Sequence, residues 1–185
     1  MSGQIAVIYT GPLTDVAIVF AEAASHIATH VRTARLPGDD DREPRAGPEA
    51  NLSYLEWADG IAFGTPAGAN GPATALMGFL DSSEPLWKTG RLHDKAVTVF
   101  TDEPERMAPD SILHPIYDAL YRWGAVIVGP RYFDLSTNKP GQSAEPGTTP
   151  VSGERLIAAQ YRAHRLSRLA SVLAEDRRRR ETLQM

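Results

Sequence analysis

The most informative absence from the 185-residue sequence is cysteine. Without a thiol the chain cannot form a disulfide, a thiolate metal site or a cysteine nucleophile. No apolar run approaches the roughly 20 residues that a helix needs to cross a bilayer. A basic segment followed by a long apolar stretch is also missing at the start, so no signal peptide is predicted. These absences predict a soluble cytoplasmic protein without a membrane partner.

A strong excess of charge of either sign is absent too. The formal net charge is -4, so the chain has no general attraction to nucleic acid. Four consecutive arginines at 177–180 are the exception, but the run is isolated. We therefore predict a solvated, fraying basic tail over residues 176–185, without a nucleic-acid partner. The remaining residues, 1–175, are of a size that fits one domain.

Strand-like and helix-like segments alternate along the chain. Runs of β-branched and apolar residues predict strands over 4–9, 31–35, 60–63, 95–101 and 125–128. Apolar spacing of three and four predicts helices over 14–30, 49–58, from 72 onward, 111–123 and 154–175. Thr14 or Asp15 is expected to cap the first helix. This alternation indicates a parallel sheet with helices on both faces.

Residues 58–92 are the most distinctive stretch. A buried strand ends abruptly at Gly64-Thr65-Pro66, and a loop of small residues follows it. Pro72 is suited to be the first residue of the next helix, where a missing N–H costs nothing. Strand, open loop and helix together form the kind of crevice in which α/β sheets bind ligands.

The motifs of this stretch identify a family. GTP at 64–66, GFLD at 78–81 and LW at 86–87 resemble the flavodoxin-like NAD(P)H:quinone oxidoreductases, also called tryptophan-repressor-binding-protein-like flavoproteins. The likeness extends to residues 124–128 and 158–170. It implies a flavodoxin-like three-layer α/β sandwich with five parallel strands in the order 2-1-3-4-5. It also implies an FMN-dependent enzyme that passes hydride from NAD(P)H to quinone-like or other planar organic acceptors, as a homo-dimer or homo-tetramer.

The resemblance also assigns site residues. Three of them, Thr10, Gly11 and Thr14, match the loop that holds the flavin phosphate. Trp87 matches a tryptophan that closes the active pocket from a neighbouring subunit, and Trp123 is expected either to stack on the ring or to belong to the core. The remaining cofactor contacts would come from the ring-binding loop and from the end of the fourth strand: Pro66, Ala67, Gly68, Ala69, Asn70 and Thr101.

The loops depart from the family pattern in three places. Pro12 removes an N–H from a shortened phosphate loop, and Asp15 adds a negative charge there. Small residues replace the bulky ones, an arginine and an aromatic among them, that normally follow the GTP motif. The third loop, residues 102–110, carries four carboxylates and no glycine. A like-charge contact near 4 Å costs about 4 kcal/mol at an effective dielectric of 20, so inward-facing carboxylates would oppose flavin binding.

Two alternatives therefore stand beside the flavin enzyme. One is a flavin-independent enzyme that uses Asp102, Glu103 and His114 for acid/base chemistry on a small planar substrate, with Trp87 and Trp123 lining its pocket. The other is a binding or assembly protein without catalysis. No metal site is predicted, since the five histidines lack ligand spacing. His26 and His30 are expected on one helix, and residues 37–48 and 131–151 as loops.

Overall fold

The computed structural model describes residues 3–10, 13–36, 47–66, 74–101, 110–129 and 152–183. Its centre is a five-stranded sheet in which all neighbouring strands are parallel. The strands are β1 (Gln4–Tyr9), β2 (His30–Arg35), β3 (Gly60–Gly64), β4 (Ala96–Phe100) and β5 (Val126–Ile127). Their order is β2-β1-β3-β4-β5, which confirms the predicted topology.

Helices cover both faces of the sheet. They are α1 (Thr14–Ser25), α2 (Leu52–Trp57), α3 (Thr74–Ser82), α4 (Glu84–Lys88), α5 (Asp110–Arg122) and α6 (Ser152–Leu183). One face packs against α1 and α6 through many alanines and a stacked pair, Phe20 and Phe100, whose ring centroids lie 5.2 Å apart. The other face packs against α2 to α5 through larger side chains. These layers form the predicted three-layer sandwich.

The three central strands β1, β3 and β4 are in register, so their carboxyl ends lie at one border of the sheet and their amino ends at the opposite border. Tyr9 lies opposite Gly64, and Gly64 lies opposite Phe100. We call the border formed by these three ends, with the residues that follow them, the carboxyl edge. The amino edge is the opposite border, formed by Gln4, Gly60 and Ala96 with the residues that precede them.

The first helix starts at Thr14 as predicted but ends earlier, at Ser25. Leu13 occupies the N-cap position and makes no side-chain cap, so the expected capping by Thr14 or Asp15 is wrong. The helix stops at Ser25, where the hydroxyl donates to the Glu22 carbonyl at 2.6 Å and competes with the helical bond. His26 follows as the C-cap, and His30 already belongs to β2. The two histidines therefore do not share a helix.

Two other helices differ from the expected bounds. Asn51 accepts a hydrogen bond from the Ser53 N–H at 3.0 Å and so sets the start of α2 at Leu52. Glu49 is not helical, because it forms a β-bridge with Arg35. Trp87 lies in the short helix α4, for which no helix was predicted. Pro85 is the second residue of that helix, in the first turn, where proline is tolerated.

The last helix is longer than predicted, because it continues to Leu183. The prediction of a fraying tail over 176–185 is wrong for the eight residues to 183. Arg177 pairs with Asp59 and also donates to the Asp94 carbonyl at 3.0 Å. Arg180 donates to the Asp94 carboxylate at 2.9 Å. These partners anchor the arginine run to the sheet. The single-domain assignment of residues 1–175 stays a prediction.

Several predictions fall where the structure gives no description. They include the main parts of the loops predicted at 37–48 and 131–151, and the helix start at Pro72. Within the described ranges, none of the helices is both long enough and apolar enough to pass through a bilayer.

Candidate functional site

The carboxyl edge of the sheet brings together the ends of β1, β3 and β4. The Thr10 N–H donates to the Gly64 carbonyl at 3.2 Å, and the Thr65 N–H donates to the Phe100 carbonyl at 3.1 Å. These bonds continue the strand ladder one residue beyond the strands. Thr10, Thr65 and Thr101 therefore lie side by side, in the crevice where open α/β sheets bind ligands.

Thr10 has an unused hydrogen-bonding group in this crevice. Its side chain is 2% exposed, and its hydroxyl oxygen has no partner among the residues that the structure describes. A buried hydroxyl without a partner is costly, and such groups in a native fold call for an explanation. A hydroxyl of this kind at the end of β1 fits a ligand atom that accepts or donates a hydrogen bond there.

The start of α1 lies directly beside Thr10. The Leu13 N–H donates to the Thr10 carbonyl at 3.0 Å, so the chain turns tightly into the helix. The N-cap residue provides no side-chain cap at the positive end of the helix dipole. Asp15 is exposed to solvent, which screens its charge.

The ring side of the crevice is described only in part. Pro66 is half-buried and Thr101 is 5% exposed at the ends of β3 and β4. The other predicted cofactor and acid/base residues lie outside the described residues: Gly11, Ala67, Gly68, Ala69, Asn70, Asp102 and Glu103. Their contacts with FMN or substrate stay predictions.

A buried arginine also reaches the carboxyl edge. Arg162 of α6 is 7% exposed, and its Nη1 donates to the Val99 carbonyl at 2.9 Å. Val99 is two residues from Thr101, about 7 Å along an extended strand. Sequence reasoning did not find this residue. The available signal was an arginine within the apolar stripe of Ala159, Ala163 and Leu166, a helix face that normally excludes charge.

The two predicted tryptophans lie together on the face of the sheet that α2 to α5 cover. Each helix after a parallel strand runs back toward the amino edge, so the ends of α3 and α5 lie there. Trp123 is 2% exposed and meets Phe63 edge to face, with 6.0 Å between centroids. With half-buried Trp87 it lines a polar cleft of about 250 Å³. The other lining residues are Leu80, Asp81, Glu84, Ala119 and Arg122.

Thr10, Thr14, Pro66 and Thr101 lie at or next to the carboxyl ends of the strands. Trp87 and Trp123 instead belong to the core on one face of the sheet. The Trp123 ring contacts Phe63, the residue that precedes Gly64 at the end of β3. A contact between either tryptophan and a cofactor stays a prediction.

His114 is exposed on α5 and makes no hydrogen bond or ion pair with other described residues. Since Asp102 and Glu103 are outside the described ranges, the predicted acid/base set receives no structural support. His26 and His164 are exposed and lie 6.4 Å apart between ring centroids. In the described part of the chain, no group of three or more potential metal ligands occurs.

The amino edge carries a network of charges that sequence reasoning also missed. Lys95 is 5% exposed and donates to the carbonyls of Glu56 and Ala58. Burial, together with the nearby Arg177 guanidinium, lowers the pKa of Lys95 to about 8. Asp59 pairs with Arg177 through one carboxylate oxygen and accepts the Gln4 N–H at 3.0 Å through the other. These groups satisfy one another, so the network has a structural role.

Known proteins are similar to the chain over about half of its length. An NAD(P)H dehydrogenase (quinone) of Deinococcus radiodurans is 29% identical over 111 residues, covering 60% of this chain and 56% of that protein. A protein of the same name in Acidithiobacillus ferrooxidans is 33% identical over 89 residues, covering 48% and 44%. The chain thus spans about half the length of the curated relatives it matches. They confirm the resemblance over that part. No protein-family model matches the chain.

Solved structures establish the fold class. A WrbA-like flavodoxin of Agrobacterium tumefaciens superposes with a TM-score of 0.62 at 21% identity, covering 92% of this chain and 98% of that one. A flavodoxin of Fusobacterium nucleatum bound to flavin mononucleotide gives a TM-score of 0.55 at 11% identity, covering 94% and 98%. At these identities the likeness shows the fold alone, and the fold is flavodoxin-like.

Proposed function

We propose that this protein is an FMN-dependent NAD(P)H oxidoreductase that reduces quinone-like or other planar organic acceptors. The observation that carries the proposal is the Thr10 hydroxyl, which is buried without a partner beside the uncapped start of α1. A flavin phosphate at this place would accept its hydrogen bond and interact with the helix dipole. The relatives that carry the name NAD(P)H dehydrogenase (quinone) support the choice of reaction.

The protein's own part in this reaction is binding and positioning. Thr10 and Thr14 would hold the phosphate, while Pro66 and Thr101 would border the ring. When bound, FMN supplies the hydride chemistry. The residues at the strand ends would orient the cofactor and limit the access of water. The alternative acid/base enzyme is not favoured, because His114 is exposed and has no partner among the described residues.

The same proposal includes a homo-dimer or homo-tetramer in the cytoplasm. Trp87 is half-buried and lines a cleft beside Trp123. The family resemblance supplies a role for it, since there a tryptophan at this position closes the pocket of a neighbouring subunit. We expect light scattering of the purified protein to give the mass of two or four chains. A monomer at micromolar concentration would contradict this part of the proposal.

The first test is the visible spectrum of the purified protein, followed by thermal unfolding with and without FMN. A flavin band near 450 nm, or a clear rise in Tm, is expected. At 100 times its dissociation constant, a ligand of the native state adds about 2.7 kcal/mol to the free energy of unfolding. A colourless protein whose Tm does not respond to excess FMN would reject the proposal.

A matched pair of variants then tests the phosphate end. Thr10→Val removes the unpartnered hydroxyl, whereas Thr98→Val removes an equally buried hydroxyl that donates to the Val128 carbonyl at 2.8 Å. We expect Thr10→Val to raise the Kd for FMN at least tenfold, because a charge-assisted hydrogen bond contributes about 1.5–3 kcal/mol. Thr98→Val should leave the Kd within twofold. If both variants change the Kd for FMN equally, the phosphate does not bind at Thr10.

A further inference from the structure

The fourth strand ends next to a strand that is too short to pair with it fully. The carbonyls of Lys95 and Val97 accept the N–H groups of Val126 and Val128 at 2.9 and 2.7 Å. The next carbonyl on that side is that of Val99, since alternate carbonyls of a strand point the same way. β5 ends at Ile127, and Arg162 provides the donor for Val99, at 2.9 Å.

The Arg162 side chain therefore donates to β4 the hydrogen bond that a backbone N–H of a longer β5 would donate. Three hydrogen bonds now follow one another across this edge: Thr10 to Gly64, Thr65 to Phe100, and Arg162 to Val99. The last of them comes from a guanidinium that is 7% exposed and always charged. We call these three bonds the edge bonds. Two of them are made by crevice residues, and the third secures the strand that leads into Thr101.

We propose that Arg162 is a positioning residue for the cofactor crevice. Its guanidinium fixes the end of β4, which keeps Thr101 in place on the ring side, and it supplies a permanent positive charge near that side. The inference rests on the proposed function, because it assigns the role with respect to FMN. A fixed positive charge near a flavin favours its more negatively charged reduced form and so raises its midpoint potential.

The chain contains a matched control for this residue. Arg165 lies one turn further along α6, and its Nη1 donates to the Gly129 carbonyl, also at 2.9 Å. This second arginine is exposed and holds the chain after β5 rather than the end of β4. Arg165→Gln thus removes the same side-chain chemistry and one carbonyl hydrogen bond, without touching the edge bonds.

The first experiment needs no cofactor. Amide hydrogen exchange is measured by NMR in Arg162→Gln, Arg162→Lys and Arg165→Gln. In Arg162→Gln the crevice amides of Thr10 and Thr65 should exchange at least tenfold faster than in the wild type. The amides of Asp59 and Ala96, which donate to the Gln4 and Asp59 carbonyls at the amino edge, should change less than twofold. Equal acceleration at all four amides would show a general loss of stability and overturn the inference.

The second experiment uses FMN with the same variants. We expect Arg162→Gln to raise the Kd for FMN at least tenfold and to make the midpoint potential more negative. Arg162→Lys keeps the charge and should retain a potential near that of the wild type, although a compact ammonium replaces the planar fork. Arg165→Gln should match the wild type in both values. If Arg162→Gln does not fold, the exchange rates and potential of Arg162→Lys decide the matter.

The two proposals fail in different ways. If the wild type does not bind FMN, the proposed function fails, while the exchange rates still decide whether Arg162 fixes the end of β4. If the wild type binds FMN but Arg162→Gln has the Kd and potential of the wild type, Arg162 is not a positioning residue. The same holds if Arg165→Gln reproduces every effect of Arg162→Gln.

Discussion

The two edges of one parallel sheet use polar groups in opposite ways. At the amino edge, Asp59, Lys95 and Arg177 form a network in which each charge has partners within the protein. At the carboxyl edge, the Thr10 hydroxyl is equally enclosed, yet it has no partner among the described residues. Paired groups hold the fold together, and an unpaired group in a crevice is available to a ligand. Burial alone does not distinguish the two cases.

The largest expected effect comes from opening the network at the amino edge. Asp59→Ala leaves Arg177, Lys95 and the Gln4 N–H without the carboxylate. Removing one partner of a largely buried pair costs about 3–5 kcal/mol, which we expect to see in urea unfolding. FMN affinity should not change. The control is Asp176→Ala, which removes an exposed pair with Arg180 and should cost less than about 1 kcal/mol. If Asp59→Ala lowers the free energy of unfolding only slightly, the proposed difference between the two edges is contradicted.

The same edge should respond to pH. The folded protein releases the Lys95 proton near pH 8, whereas the ordinary pKa of lysine is 10.5. Between these values the unfolded chain binds more protons, so the free energy of unfolding rises with pH. The rise is on the order of 3 kcal/mol for this group. Urea unfolding at pH 7.5 and pH 10 should show it in the wild type and in Lys88→Met, but not in Lys95→Met. If the free energy of unfolding depends on pH in the same way in all three proteins, Lys95 is not the cause of that dependence.

Two glycines at opposite ends of β3 allow a direct comparison of the edges. A Cβ on Gly64 would lie 2.6 Å from the Phe100 ring, and one on Gly60 would lie 2.8 Å from the Ala170 Cβ. Each alanine variant should lose about 2 kcal/mol of stability through overpacking. Only Gly64→Ala should also weaken FMN binding, because Phe100 accepts the hydrogen bond of Thr65. Equal FMN affinities in the two variants would argue against a cofactor site at the carboxyl edge.

The smallest effects concern two hydroxyls in the protein without ligand. Thr98→Val leaves the Val128 carbonyl without its side-chain donor and should cost about 1 kcal/mol. Thr10→Val removes a buried hydroxyl that has no described partner, so the free energy of unfolding should stay at the wild-type value or rise by about 1 kcal/mol. Chemical denaturation of the cofactor-free variants measures both. A substantial loss for Thr10→Val would show that its hydroxyl has a structural role.

Local patterns predicted the sheet well. Continuous β-branched and apolar runs gave every strand, and motifs around residues 64–87 gave the strand order through a resemblance. The helix ends were less predictable, because distant partners set them. Arg177 and Asp59 are 118 positions apart, and Arg180 and Asp94 are 86 apart. Without knowledge of these distant partners, a run of arginines therefore resembles a solvated tail.

The candidate site was predictable only where position along a strand determined it. Thr10, Pro66 and Thr101 follow three strands, and parallel pairing places such ends together. Trp87 and Trp123 were expected to line the ligand pocket; the structure places them together at a cleft between helices, and their contact with a ligand stays a prediction. Arg162 was missed although it interrupts an apolar helix stripe, because the Val99 carbonyl that it binds is 63 positions away and a backbone carbonyl does not depend on residue type.

The position of α6 in the chain has a consequence for biosynthesis. The buried face of α1 is covered by a helix that is translated much later, and the Gly3 N–H binds Ser171, 168 positions away. At 5–20 residues per second, the first helix waits roughly 7–30 s for its cover. During this interval Phe20 and its neighbours are exposed on the ribosome, so nascent chains should engage chaperones. Contacts between such distant segments also slow folding.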